Sequence, residues 1–342
     1  MKKVGIIFGG MSSEHDVSVV SGNSVLKHIN KEKYEIYPIY ISKDGNWYEY
    51  EETKDEIEIG YEVQKKKLIE NILKYLQNLD IVFPVLHGAY GEDGTIQGLL
   101  ECMKVPYVGC KVLASSIGMD KAYTKILFEK AGLKQVKYCY IKKYNNKYIF
   151  VNKNLDEEIM GIDDITNKIQ GNIKYPMFVK PSRAGSSVGI NKAKNSIELK
   201  KAIEYAEKFD KKIIIEEGIK AREIECAVLG NEEALSSGTG EIIPADEFYS
   251  YDAKYKNAQS RTIVPSGIKQ EEEVKKLAVK AFKAIDGTGL ARVDFFLTDE
   301  GDIYINEINT MPGFTSISMY SKLWEQAGLD YSTLIDKIIE LA

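Results

Sequence analysis

Two runs near the C-terminal end of the chain, Ala291–Leu297 and Ile303–Asn309, constrain the fold most. Both alternate apolar with polar or charged side chains, the pattern of strands with one face on a core. Arg292 and Asp294 share a face on the first run, and Glu307 and Asn309 share one on the second. Asp299-Glu300-Gly301-Asp302 between them has turn composition. A two-residue Glu300-Gly301 turn sets Asp299 opposite Asp302. Counting back, Asp294 falls opposite Glu307 and Arg292 opposite Asn309, a register that one bulge would break. Oxygen donors at that density suit Mg²⁺, a hard cation that takes few protein carboxylates. Arg292 cannot ligate a metal, but it can stabilise anionic charge on a transferring group. A solvated sheet face with ordinary salt bridges is the alternative. It leaves Asn309 and the loop that follows unexplained.

The 342 residues allow two or three domains at roughly 100–200 residues each. The chain divides into 1–118, 119–217 and 218–342. In the first stretch Val4–Phe8, Ile36–Ile41, Asp80–Val85 and Tyr107–Val108 read as strands. Val17–Ile29, Leu68–Leu79 and Thr95–Met103 read as helices. This alternation implies an open, mostly parallel α/β sheet. In the second, the expected elements are helices at Lys121–Ala131 and Ser196–Phe209 and strands at Tyr175–Lys180 and Ile213–Glu217. Lys142–Lys174 is polar and weakly patterned: short strands, a turn of helix and loop. The third has strands at Ile224–Leu229 and Leu235–Gly238, the two runs described first, and helices at Glu271–Ile285 and Leu329–Ala342. A long irregular segment, Glu241–Gly267, interrupts it, and such a segment in a compact domain acts as a lid or binding loop.

Composition excludes several classes. A net charge of −5 gives no nucleic-acid surface. No apolar run approaches the roughly 18 residues of a membrane span. MKKVGIIFGG starts basic then apolar, as a secretory signal does, but Val4–Phe8 is too short and Gly9-Gly10 breaks it, so it reads as a first strand. Cys102, Cys110, Cys139 and Cys226 lack CxxC spacing. Structural zinc is not expected, no disulfide is required, and a reducing cytoplasm fits. No feature sets the oligomeric state; a homodimer is left open.

Phe178-Val-Lys180-Pro-Ser-Arg-Ala-Gly185-Ser186-Ser187-Val-Gly189 is a second signal. A strand delivers Lys180 to a loop of backbone N–H groups and hydroxyls that can close over phosphates. The lysine precedes the glycines, so this is not a Walker motif. Alone, the run is as easily a plain hairpin. Lys121 opens a helix and is otherwise a surface lysine. Glu216 or its neighbouring backbone can meet an adenine amino group and Glu223 ribose hydroxyls, though both also read as surface charge. Gly9–Asp16 follows the first strand and precedes a helix, a place where anions and substrates sit. His87, in the loop His87–Gly94, can contact substrate; a lone histidine is more often structural.

The ordered set FGGMSSEHDVS, VFPVLHGAYGEDGTIQG, GMDK, FVKPSRAGSSVGI, FYSYDAKY, ARVDFF and NEINTMPGFTSIS resembles the D-alanine–D-alanine ligases of the ATP-grasp superfamily over most of the chain. The resemblance implies three domains: an N-terminal open parallel α/β domain, and central and C-terminal α+β domains with ATP held between them. It implies that Lys121, Lys180 and Lys254 contact phosphates and that Glu216, Ile219 and Glu223 hold the nucleoside. Asp294, Glu307 and Asn309 would ligate two Mg²⁺ or Mn²⁺ ions. Glu14 would hold the ammonium of the first D-alanine, with His87 nearby. Arg292 and the Gly313 backbone would stabilise a tetrahedral intermediate, and Ser318 and Met319 would engage the second amino acid. Glu14, Ser186 and Tyr255 would form a hydrogen-bonded set joining loops. Three positions depart from the family pattern: Ala184 replaces an acid found in some members, Ile317 a histidine and Ser321 a common proline. None is a proposed ligand.

The implied reaction has two steps. A D-alanine carboxylate attacks the ATP γ-phosphate, and the amine of a second D-alanine then attacks the acyl phosphate. Water would destroy that intermediate, which gives the 241–267 segment a role as lid. The product would serve peptidoglycan precursor synthesis. D-serine or D-lactate is the nearest alternative acceptor. The neutral Tyr255 argues against D-lactate, and the bulky Met319 against D-serine. A nucleotide-binding regulator without catalysis would be expected to lose Asp294, Glu307 or Asn309 first, and all three remain. A dinucleotide-dependent dehydrogenase needs a glycine fingerprint that the first loop lacks.

Overall fold

A computed structural model describes residues 1–51, 57–243 and 261–342. Lys254, Tyr255 and most of the expected lid lie outside the described residues. Among those described, three sheets carry the architecture.

The first sheet contains β1 (Lys2–Gly9), β2 (Tyr34–Ile41), β3 (Trp47–Tyr50), β4 (Lys66–Leu68) and β5 (Ile81–Pro84), in the order β4-β3-β2-β1-β5. Its centre is parallel, as expected: β1 pairs with β2 on one side and β5 on the other. β3 and β4 extend it antiparallel. Helices α1 (His15–His28), α2 (Ile72–Gln77) and α3 (Thr95–Cys102) accompany it. The expected Leu68–Leu79 helix is shorter because its first residue, Leu68, ends β4 and the Asn71 side chain caps the helix on Lys74 N at 3.0 Å. Tyr107–Val108 makes only an isolated bridge, Tyr107 to Val82.

The second sheet runs β10-β9-β11-β6-β7-β8. Its strands are β6 (Tyr138–Tyr144), β7 (Lys147–Val151), β8 (Glu157–Met160), β9 (Met177–Pro181), β10 (Asn191–Ala193) and β11 (Lys212–Glu217). Helices α5 (Lys121–Lys130), α6 (Ile162–Gln170) and α7 (Ser196–Ala206) belong to this part of the chain, and α4 (Val112–Met119) immediately precedes it. The weakly patterned 142–174 segment is more regular than its sequence suggests. β8 is an edge strand of the sheet and is largely exposed, so little apolar alternation is demanded of it.

The third sheet runs β14-β13-β12-β15-β16. It comprises β12 (Arg222–Leu229), β13 (Leu235–Ile243), β14 (Arg261–Ile263), β15 (Leu290–Leu297) and β16 (Ile303–Asn309), with α8 (Glu271–Ala284), α9 (Met319–Gln326) and α10 (Tyr331–Glu340). α4 and α9 had no counterpart in the sequence reading. One core joins β1 and α1 to α9, α10 and the Ala227–Leu229 end of β12. The first and third sheets therefore share a core.

The β15–β16 hairpin corrects the turn. Phe295 pairs with Ile305 and Leu297 with Ile303, and Thr298 N–H donates to Asp302 O at 3.0 Å. The loop thus has three residues, Asp299-Glu300-Gly301, with Gly301 at φ +93° in the left-handed region that such loops require. A bulge at Asn306 then shifts the register back by one. The two departures cancel: Asp294 still pairs with Glu307 and Arg292 with Asn309. The physical reason is the core. Ile303, Ile305 and Ile308 all pack into one cluster, and only an extra residue between 305 and 308 keeps all three on that face.

Gly22 on α1 sets the helix against β1. A Cβ there would lie 2.4 Å from Phe8 Cγ. Alanine in place of glycine favours an exposed helix by about 1 kcal/mol. Here overpacking reverses the sign: Gly22→Ala is expected to lower unfolding free energy by about 1–3 kcal/mol in urea titrations. A stabilised variant would show that α1 can move off the sheet.

Candidate active site

The walls of one cleft, about 440 Å³ in volume, come from all three sheets. Loops after β1 and β5 form one corner, at the C-terminal ends of parallel strands where α/β sheets place ligands. Ser18 Oγ donates to Val85 O at 2.5 Å and Ser12 Oγ to His87 O at 2.6 Å, which ties the two loops together. Glu14, His87 and Glu92 converge here, and Ser186 reaches over from the β9–β10 loop to donate its hydroxyl to Glu14.

His87 is buried, and burial lowers its pKa. Its ring lies between Met311 O, 3.2 Å from Nδ1, and Ser21 Oγ, 2.9 Å from Nε2. A neutral ring satisfies both contacts if Nδ1–H donates to the carbonyl and Nε2 accepts from the hydroxyl. Glu92 accepts from Gly88 N–H at 2.7 Å. Burial first, then the nearby Glu14 charge, raise its pKa from 4.5 to about 8.

The second corner belongs to α5. Asp120 caps it, accepting from Tyr123 N–H at 3.3 Å, Ser182 Oγ at 2.8 Å and Lys212 Nζ at 2.6 Å. Lys121 Nζ donates to Ala184 O at 3.0 Å and lies 3.3 Å from Glu307. One turn on, Lys125 Nζ is 2.6 Å from Glu216 Oε1, while Lys180 Nζ is 2.5 Å from Glu216 Oε2. Burial would raise the Glu216 pKa, but the two ammonium groups outweigh it and hold the carboxyl at about 2. The Lys180 loop is anchored by Arg183, whose guanidinium grips Asp210 at 2.7 and 3.0 Å.

The third corner is the polar face of β12, β15 and β16. Arg292 donates to both Asp294 oxygens at 2.7 Å and lies 3.1 Å from Glu225, which is directly opposite Asp294 on β12. Asn309 Nδ2 donates to Asp294 Oδ2 at 3.0 Å. Burial works against the Arg292 charge, but Asp294 and Glu225 outweigh it and raise its pKa. Among the described residues no three His, Cys, Asp or Glu side chains cluster at metal-binding distances. The available donors are two facing carboxylates, Asp294 and Glu307, and the Asn309 amide. These hard oxygens fit Mg²⁺, which keeps part of its water and shares the remainder with phosphates.

Models for the N-terminal and C-terminal parts of the D-ala D-ala ligases match residues 3–110 and 127–340. The D-alanine–D-alanine ligase of Acetivibrio thermocellus is 49% identical, with 100% of this chain and 96% of that protein covered. The chain belongs to the D-alanine–D-alanine ligase family. The Clostridium novyi ligase is 48% identical over 100% of this chain and 98% of its own length. Among solved structures, the VanG D-Ala:D-Ser ligase from Enterococcus faecalis has a TM-score of 0.82 at 36% identity, covering 99% of each chain. The Bacillus anthracis D-alanine–D-alanine ligase complexed with ATP has a TM-score of 0.76 at 28% identity, covering 100% of this chain and 97% of that one. The three-sheet ATP-grasp architecture is common to the family.

The cleft brings together Glu14, His87, Lys121, Lys180, Ser186, Glu216, Ile219, Glu223, Arg292, Asp294, Glu307, Asn309 and Gly313. Ser318 and Met319 are not among its walls. Ser318 Oγ accepts from Thr315 N–H at 3.0 Å, and Met319 is buried in the core, where it packs against Gly240. Sequence reasoning missed Glu92, Lys125 and Glu225. Lys125 left a trace: it interrupts a buried stripe formed by Ala122, Thr124 and Phe128. Glu92 and Glu225 read as ordinary loop and strand acids until burial distinguishes them.

The Glu92 pKa has a measurable sign. Its folded value lies above its unfolded one, so the native state holds the proton more tightly. The stabilisation from that proton is complete below about pH 4.5 and is lost as pH rises through about 8. Glu92→Gln removes this loss. Urea midpoints at pH 5, 7 and 9 should show the variant gaining on the native protein as pH rises. Parallel midpoints across that range would contradict a buried, protonated Glu92.

Proposed function

We propose that this protein joins two D-alanine molecules to D-alanyl-D-alanine through a D-alanyl phosphate, converting ATP to ADP and phosphate, for peptidoglycan precursor synthesis in the cytoplasm. The observation that carries the reading is the meeting, in one cleft, of the Glu14–Ser186 contact, the lysines at 121 and 180, and the Arg292–Asp294–Glu307–Asn309 face. The chain is read as three domains, 1–118, 119–217 and 218–342.

Glu14 is an anionic acceptor suited to the ammonium of the first D-alanine. Lys121 and Lys180 offer point charges to the phosphates, and the Lys180 loop offers backbone N–H groups. Ile219 and Glu223, beside Glu216 on the cleft wall, suit the nucleoside. Asp294, Glu307 and Asn309 would hold two Mg²⁺ ions, which supply positive charge to the transferring phosphoryl oxygens. Arg292 and the Gly313 backbone, both on the cleft wall, would stabilise the charge that develops on the acyl oxygen as its carbon becomes tetrahedral. The second D-alanine attacks as the free amine and phosphate departs. The 241–267 segment, bearing Lys254 and Tyr255, is the lid in this reading, since an acyl phosphate must be kept from water.

The VanG neighbour supports a second reading in which D-serine is the acceptor. The curated relatives at 48–49% identity favour D-alanine. Chromatographic identification of the dipeptide formed from ATP with D-alanine alone, and with equal D-alanine and D-serine, separates the two. The expected product is D-alanyl-D-alanine in both mixtures; predominant D-alanyl-D-serine would reverse the acceptor assignment. Glu307→Gln and Asp294→Asn are each expected to lower turnover on the order of 10²–10³-fold with unchanged circular dichroism. Near-native turnover of Glu307→Gln at millimolar Mg²⁺ would remove the metal assignment.

A further inference from the structure

Glu216 is a buried carboxylate held by two lysines rather than one. The lysines differ in position. Lys180 sits on β9, opposite Ile214, on the same sheet face as Glu216, and it lines the cleft. Lys125 comes from α5, behind the cleft wall, and its side chain is 3% exposed against 12% for Lys180. Lys125 Nζ lies 2.6 Å from Glu216 Oε1, and the Tyr138 ring is 5.5 Å away.

One lysine would neutralise Glu216. If Lys180 were that lysine, moving it to a phosphate would strand a buried anion, a change that is strongly unfavourable in a low-dielectric interior. We propose that Lys125 is the resident counter-ion of Glu216, and that its presence frees Lys180 to leave the carboxylate and neutralise the nucleotide's polyphosphate. Lys125 is then a positioning residue that never touches the nucleotide. Glu216 is the place where Lys180 waits, and the excess positive charge of the triad is the driving force for its transfer. The inference rests on the reading of Lys180 as a phosphate contact.

The test is nucleotide binding, by calorimetry with ADP and by competition with adenosine, both in millimolar Mg²⁺. Lys125→Met leaves a neutral Glu216–Lys180 pair and locks Lys180 there. ADP affinity should fall about tenfold or more, the scale expected for stranding a buried charge, while adenosine affinity changes less than about twofold. In a Glu216→Gln background Lys180 is already free, so adding Lys125→Met should change ADP affinity by less than about twofold, a coupling that a double-mutant cycle reads directly. Lys125→Arg, which keeps the charge, should retain ADP binding and serves if the Met variant does not fold. Equal losses for ADP and adenosine would reduce Lys125 to packing. A loss that persists in the Glu216→Gln background would mean that Lys125 attracts phosphate directly. Either result overturns the proposal, as does unchanged ADP affinity in Lys125→Met. Lys180→Met separates the levels: if it leaves ADP affinity intact, the reading of Lys180 itself falls; if it weakens ADP and Lys125→Met does not, only the counter-ion role falls.

Discussion

Helix α5 is the constraint on which the cleft depends, because it is packed on two sheets at once. Ala122 and Ile126 pack with Tyr140, Val151 and Ile214 of the second sheet. Leu127 and Phe128 belong to the core that includes Ile224, Val293 and Phe295 of the third. A helix seated on both cannot move relative to one without opening a core against the other. Its first turn therefore carries Lys121 to a fixed place between Ala184 of the β9–β10 loop and Glu307 of β16. The Asp120 cap locks the same turn to Ser182 and Lys212.

The chemistry of the cleft follows from dielectric. Glu216, Arg292, Asp294 and Glu225 are each largely removed from water, where unpaired charge is costly, and each has an opposite charge within about 3 Å. Such pairs contribute little net stability, since desolvation offsets attraction. Their use is preorganisation. Charges held in place before the reaction need no reordering when negative charge develops on a phosphoryl or acyl oxygen. Glu92 obeys the opposite rule: burial, and then the Glu14 charge beside it, raise its pKa and favour the protonated carboxyl.

The hairpin shows how sequence reading can reach the observed strand pairs through a wrong turn. The alternation in Ala291–Leu297 and Ile303–Asn309 names the polar face correctly because the side-chain period of a strand is two. It does not distinguish a two-residue loop from a three-residue loop followed by a bulge, which leave the same pairs at the far end. The choice is made by Ile303, Ile305 and Ile308, which can enter one core only with Asn306 bulged. The β8 edge strand was obscure for the opposite reason. Solvent-facing edge strands demand little apolar pattern, so their sequence carries little of it.

Sequence by itself determined the family, the parallel α/β start, and the charged and polar residues that meet in the cleft. These are local facts: side-chain period, turn composition and the ordered motifs. Only the tertiary structure decided which of those charges are buried and with whom. Lys125 and Lys121 are ordinary helical lysines four residues apart until α5 is laid on the second sheet; then one faces Glu216 from behind the cleft and the other faces Glu307 across it. Met319, read as a substrate contact, turns instead into the core beside Gly240. Burial and pairing are properties of distant segments brought together, with Lys125 and Glu216 91 positions apart in the chain. No window along the sequence contains them.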